Sequence, residues 1–378
     1  MKLEENTRNF QRFSNLIKKI SIFILFTLPV LFIGFILYLY FFDFAKKRYI
    51  TPTIIEIEKN EKIDSVAKKL KQRGVINHEI TFLIFVRNEF KKFKAGEFEI
   101  VGETSLKDLI ETFISGIFFK RKVTIIPGWS MYEVAEELER QKIIKSKEEF
   151  LIYAQDKVFL KKIGVEYDSI EGFLYPDTYF FTKNSDPRMV MSYMVDNFFK
   201  KVGEKRLGEM KSKDFYKTLI LASIVEEEAT FNFEKPIIAS VFLNRLAKNM
   251  PLQADPTAMY GLKIFTRPPR PSDLRVPNPY NTYTQRGLPP TPICSPTIYS
   301  IDAVLRPAKT KYLYFVAKGD GTHIFSETYE EHLKNIKFVK MIRKAKAEEE
   351  IGIIEAQQEA ENKLETENKL ETEENKNQ

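Results

Sequence analysis

"TIIEIEKNEKIDSVAKKLKQRGV" (53–75) changes its period halfway, and that change decides the class of fold. From Thr53 to Lys59 apolar and polar residues alternate, the period of a strand with one covered face. From Asp64 onward Val66, Ala67 and Leu70 recur at spacings of three and four, the period of a helix, with Asp64 at its start and Gly74 as its stop. Working outward, 78–92 predicts a second helix, 95–101 a returning strand, and 105–116 a third helix opened by Ser105 and ended by Gly116. Residues 53–117 therefore predict a small α+β module. The pattern restarts at 121–127 with strand character, followed by helices expected over 131–141, 146–156, 188–201, 214–229 and 234–248. A hairpin is expected at 311–326, turning on Gly319, Asp320 and Gly321, and a last helix from near Thr328. Residues 171–187 read as irregular and aromatic, and the proline-rich 251–296 as a long loop, ordered or disordered. The fold class is α+β.

A chain of 378 residues favours two or three domains, and 43% hydrophobic with 13% aromatic residues is material for real cores. The net charge of +7 is uneven. From Ala345 to Gln378 there are 11 Glu and 4 Lys, a net of −7, so residues 1–344 carry +14. A basic body suits lipid headgroups, nucleic acid or an acidic polymer, although no dense patch stands out and solvated lysine-rich faces explain the same excess. The tail 345–378 repeats "NKLETE" at 362–367 and 368–373 and has few large apolar residues, so disorder or a solvated helix extension is expected. Cys294 is the single cysteine, and His78, His323 and His332 are scattered, which speaks against disulfides, zinc and haem. Walker, GxGxxG, HExxH and GxSxG patterns do not occur.

"ISIFILFTLPVLFIGFILYLYFF" (20–42) has no charge over 23 residues. As a helix it spans roughly 34 Å at about 1.5 Å per residue, enough to cross a bilayer. It is too long for a signal-peptide core, and no small-residue cleavage site follows. An uncleaved anchor is expected, with residues 1–19 before it. Lys2, Arg8, Arg12, Lys18 and Lys19 precede the span and Lys46, Lys47, Arg48 and Lys59 follow it, only a slight lean to a cytoplasmic N-terminus.

Chemistry concentrates in "LILASIVEEEAT" (219–230), an apolar helix that ends in three carboxyls. At 100° per residue Glu226 continues the line of Phe215, Leu219 and Ala222, Glu228 that of Leu221 and Ile224, and Glu227 that of Ser223 and Ile220. Acids at a helix C-terminus oppose the helix dipole. A buried one would hold its proton and could serve as a general acid, while a frayed, solvated turn would leave all three inert. Periodicity does not choose among them. Gln253 and Asp255 stand in "PLQADPTAMYGL", and Tyr280, Asn281, Thr282 and Tyr283 in "NPYNTYTQRGLPPTPICSP". Aromatic faces with amides and hydroxyls are the groups that hold a sugar ring. Glu171 and Asp177 in "EGFLYPDTY" are weaker candidates, beside a turn reading.

"EGFLYPDTY", "LASIVEEEA", "SVFLNRL", "LQADPTAMYG", "YNTYTQRGLPPTPICSP" and "PAKTKYLYFVAKGDGTHIFSETYEEH" follow one another in the order and spacing of the YceG-like family of endolytic murein transglycosylases, which the chain resembles over about 50–342. The resemblance implies a single-pass anchor in the inner membrane at 20–42, a cytoplasmic stretch 1–19, a LysM-like module at 53–117 and an extracytoplasmic YceG-like catalytic domain at 121–342. It implies Glu226 as the catalytic acid and Glu228 as a supporting one, with Glu227 where the family often has Lys. It further implies peptidoglycan glycan strands as substrate, lined by Gln253, Asp255, Tyr280, Asn281, Thr282 and Tyr283. Peptidoglycan synthases (penicillin-binding proteins) would be neighbours; no cofactor, metal or nucleic acid is implied. The alternative is an anchored wall-binding scaffold without turnover.

Overall fold

The computed structural model describes residues 2–212 and 214–374, with side chains from 15 onward except Asp43 and part of the stretch after 345. Helix α1 (Lys2–Leu39) contains Pro29 and ends in one π-helical turn, Tyr40–Phe44. Its Asn15–Phe42 portion is long and apolar enough to cross a membrane, over the segment expected from sequence.

Two compact units divide the chain. The first comprises Met1–Arg121 and a later piece, Phe180–Asn184. Strand β1 (Arg48–Ile57) pairs antiparallel with β2 (Gly96–Thr104), and the register slips between Ile50 and Thr53, where Pro52 has no N–H to give the ladder. Between them lie α2 (Ile63–Gln72) and α3 (Glu79–Val86). The helix expected over 78–92 stops at Val86, and a separate 3-10 turn forms at Phe90–Lys92. Helix α4 (Leu106–Ser115) begins at a capping box of Ser105 and Asp108 and ends at Gly116 with φ 74°, a left-handed position that favours glycine. Val66, Leu70, Phe82, Phe98 and Phe113 fill the core. Glu97 is buried at the edge and held by two cations. Arg121 grips it through two nitrogens at 2.7–3.1 Å, and Lys183, from the returning piece, lies 3.9 Å away and 2.7 Å from Glu56.

The second unit comprises Lys122–Tyr179 and Ser185–Gln378. After β3 (Arg121–Thr124) come α5 (Met131–Arg140), α6 (Lys147–Tyr153), α7 (Lys157–Lys162) and β4 (Thr178–Phe181), a strand inside the stretch read as irregular. Helix α8 (Pro187–Ser212) is broken at Gly203 (φ 74°, ψ 158°). Helix α9 (Phe215–Glu228) is the centre: every residue from Thr218 to Val225 is buried, with α8, α10 (Lys235–Ala247), α11 (Asp255–Gly261) and α12 (Ile298–Leu305) packed around it. A helix apolar all round belongs in that position. The proline-rich region is an ordered loop that contains α11, whose Pro256 sits in the first helical turn, where a missing N–H costs nothing. The hairpin forms as expected, from β5 (Tyr314–Ala317) and β6 (His323–Ser326). Helix α13 (Tyr329–Glu374) carries the acidic tail up to Glu374 as helical backbone; Ala, Glu, Gln, Lys and Leu are strong helix formers.

Candidate active site

The three glutamates at the end of α9 have three different environments. Glu226 is enclosed. Its Oε1 accepts from Lys235 Nζ at 2.8 Å, with both side chains nearly sealed from solvent at 6% and 3% exposure. Its Oε2 accepts from the Thr297 N–H and Oγ1 at 2.8 Å each and from Ser300 Oγ at 2.6 Å. A carboxyl group that accepts from one ammonium and three further donors is held in place on both oxygens. Glu226 thus joins the end of α9 to the start of α10 and to the N-terminus of α12.

Glu227 reaches water but stands in a cleft, with protein on most sides. Burial pushes its carboxyl up to about 8, and the charges of Glu133 and Glu226 add to this. The Gly128 backbone (φ +89°) lies so close that a side chain there would collide with the Glu227 carboxyl. Glu228 is half-buried and has no hydrogen-bond partner among the described residues. Burial raises it to about 8 as well, with Asp255 and Glu227 pushing the same way and Arg245 opposing them. Both carboxyls are thus pushed towards the protonated form.

The cleft encloses about 310 Å³ and is bounded by Trp129, Glu133, Glu227, Asp255, Tyr260 and Arg267 among others. Tyr132 stacks at 5.8 Å on Phe265, which is part of this wall. Asp255 Oδ1 accepts a 2.5 Å hydrogen bond from Tyr283 OH, and Gln253 Oε1 accepts from Arg245 at 3.2 Å. These two sequence candidates, with Tyr283, gather beside Glu228. Tyr280 packs on Tyr260 at 4.8 Å and bonds Thr291 through its hydroxyl.

Asn281 and Thr282 are placed differently. Both are buried, at 0% and 1% exposure. Asn281 Nδ2 donates to the Leu274 and Val276 carbonyls, and its Oδ1 accepts from the Tyr283 N–H. Thr282 Oγ1 pairs with Thr257 Oγ1 and accepts from the Ala254 N–H. Their polarity closes the loop from inside. Glu171 is wholly buried, bonded by the Met131 N–H at the start of α5 and by Tyr260 OH at 2.9 Å, and burial raises it to about 8. Asp177 bonds Asn197 and Lys201, which hold its carboxyl below the usual range despite partial burial. Sequence reading passed over Trp129, Glu133 and Arg267. The one available signal was the chain's only Trp directly after Pro127 and Gly128.

The profile of the YceG-like family matches residues 55–338. The "Endolytic murein transglycosylase" of Bacillus subtilis (strain 168) is 32% identical over 305 residues, covering 75% of this chain and 84% of that protein. The protein of the same description from Streptococcus pneumoniae serotype 2 is 25% identical over 328 residues, covering 78% of this chain and 59% of its own length. A crystal structure of a yceG-like protein from Listeria monocytogenes aligns with a TM-score of 0.54 and 31% identity, over 75% of this chain and 98% of that one.

Proposed function

Because the chain belongs to the YceG-like family, we propose that it is an anchored peptidoglycan lytic transglycosylase that cuts within glycan strands, with Glu228 as its acid and base. The observation that carries the reading is the end of a buried helix where Glu227 opens on an aromatic-walled cleft and Glu228, without a hydrogen-bond partner among the described residues, stands near Asp255; burial raises both carboxyls. Protonated Glu228 donates to the glycosidic oxygen as the bond from C1 of N-acetylmuramic acid to O4 of N-acetylglucosamine breaks. The resulting carboxylate takes the proton of the muramic 6-hydroxyl while O6 closes on C1, giving a 1,6-anhydro end. No water enters. An ordinary glycosidase needs a second carboxylate as nucleophile or base; here the sugar supplies its own nucleophile, so one carboxyl suffices.

The role falls to Glu228 rather than to Glu226, where the family resemblance first put it. Glu226 is an ion-paired anion with four donors on it, and donating a proton from that position would break the network. Glu227 occupies a position where the family often has Lys. Once ionised, in the range around pH 8, it raises the proton affinity of Glu228. Asp255, Tyr283, Gln253 and Trp129 form the sugar-holding rim, and Asn281 and Thr282 shape it from within. Helix α1 anchors the chain in the cytoplasmic membrane with its N-terminus inside. The 53–117 region acts as a LysM-like glycan holder, beside the synthases that extrude nascent strands.

Product chemistry tests the reading. Full-length protein in detergent, given polymeric uncrosslinked glycan, is expected to release fragments that mass spectrometry shows at one water less than hydrolysis products. Fragments with reducing muramic ends would mean hydrolysis and sink the mechanism. No release at all would favour the non-catalytic scaffold.

The pH dependence has a definite sign. A general acid works while protonated, so turnover is expected to hold through neutrality and fall above about pH 8 as Glu228 ionises. Glu227→Gln removes the negative charge that Glu227 acquires in the same alkaline range, which lowers the proton affinity of Glu228 there, so the alkaline limb moves to lower pH. A limb that stays in place would show that the two carboxyls are uncoupled.

A further inference from the structure

The end of the anchor helix does not lead into a free linker. Phe44, two residues beyond the apolar span, packs on Phe85 of α3 with ring centroids 4.6 Å apart and the rings tilted by 31°, and Tyr40 reaches the same ring at 6.1 Å. Helix α3 is therefore fixed at the point where the span leaves the bilayer. A helix with its side chains is about 10–12 Å across. The headgroup layer is about 5–7 Å thick on each side of the hydrocarbon. The far face of α3 then lies within roughly two such layers of the end of the span.

One face of α3 is unexplained by the fold. Thr81, Phe82 and Val86 enter the core of the first unit. On the opposite side Ile80 and Ile84, one turn apart, are 55% and 43% exposed. Arg87 follows on the same line and is exposed, as are Lys91 beyond it and Lys46 and Lys47 just after the span. Exposed apolar residues with cations nearby, on a short helix packed against the end of an apolar span, suit a contact with the lipid surface, although Glu79 and Glu89 stand at the two ends of the same stretch. Cations at that depth also favour anionic lipid.

Resting on the anchoring part of the proposed function, we propose that α3 is an interfacial helix. It lies on the lipid surface with Ile80 and Ile84 at the headgroup–acyl boundary and Arg87, Lys91, Lys46 and Lys47 on lipid phosphates. The anchor and α3 together form a two-point contact that fixes the orientation of the first unit to the bilayer.

The test uses the full chain alone in lipid discs containing phosphatidylglycerol, with Trp129→Phe removing the native fluorophore. Ile84→Trp reports on α3 and Phe35→Trp on the span, each read by quenching with lipids brominated at shallow or deep acyl positions. The inference expects the Ile84→Trp protein to lose about half its emission to the shallow label and less to the deep one, and the Phe35→Trp protein to be quenched by the deep label. An unquenched probe at 84 beside a quenched probe at 35 overturns the interfacial helix and leaves the anchor standing. No quenching at 35 overturns the anchor and this inference with it. As a second measure, backbone amides of 79–87 exchange more slowly in phosphatidylglycerol discs than in Ile80→Ser/Ile84→Ser protein; equal rates also overturn the proposal. Since no other protein is in the disc, a partner covering this face could not produce the expected result.

Discussion

Glu228→Gln is expected to remove turnover by at least the 10²–10⁴-fold that general acid–base catalysis contributes, while leaving the fold intact. Gln cannot give up a proton and cannot take one back, so both halves of the reaction fail together. Circular dichroism and release of anhydro-ended fragments check this on one preparation. The same variant carries an opposite prediction for stability. The folded carboxyl titrates near 8 against an ordinary 4.5, so the native state binds more protons than the unfolded chain between those values. Stability contributed at this position is therefore present below about pH 4.5 and declines as pH rises to about 8. An uncharged Gln has no such decline, so Glu228→Gln is expected to melt above the parent at pH 8.5 and close to it at pH 4.5. If Glu228→Gln instead keeps its activity and Glu226→Gln, shown to be folded, loses it, the roles are reversed and Glu226 is the acid.

Lys235→Met should give the largest loss of stability. It leaves Glu226 as a buried anion without its cation, a change that costs about 3–5 kcal/mol. Adding Glu226→Gln removes the stranded charge, so the double variant is expected to recover much of the loss, and chemical denaturation of all four proteins closes the cycle. Additive losses would mean that the pair does not act as a unit. Part of the effect should extend to the cleft, because Glu226 also holds Thr297 and Ser300, and the strand of loop just before them supplies Ile293 to the cleft wall.

The elements were legible wherever period and caps agreed. The long apolar helix, the strand and helix of 53–75, the Ser105 start and Gly116 stop, and the hairpin at 311–326 all declare themselves in local sequence. The oddity of Glu226, Glu227 and Glu228 was legible too, but their roles were not. Three consecutive positions fan over about 200° of a helix, and what each one meets comes from elsewhere: Lys235 on the next helix, Thr297 and Ser300 some seventy positions on, Gly128 a hundred positions back. Asn281 and Thr282 show the converse error. Polar types in a loop look like ligands for a sugar, yet a buried loop must also satisfy its own backbone, and here those side chains do that. Helix α11 was hidden because Pro256 reads as a breaker until its place in the first turn is known.

Lys183 has a consequence for how the protein is made. The first unit has most of its chain once Arg121 has been synthesised and can pair with Glu97, but Glu56 waits for Lys183, encoded roughly sixty codons later. At about 5–20 residues per second the gap is on the order of 3–12 s. During that interval the nascent unit has a near-complete core and an unfinished charge pairing at one edge. A cassette cut at residue 121 would stay in that state permanently, so this piece of the chain is a poor candidate for transplantation between proteins, and its last step of maturation belongs to the ribosome's progress through the next domain.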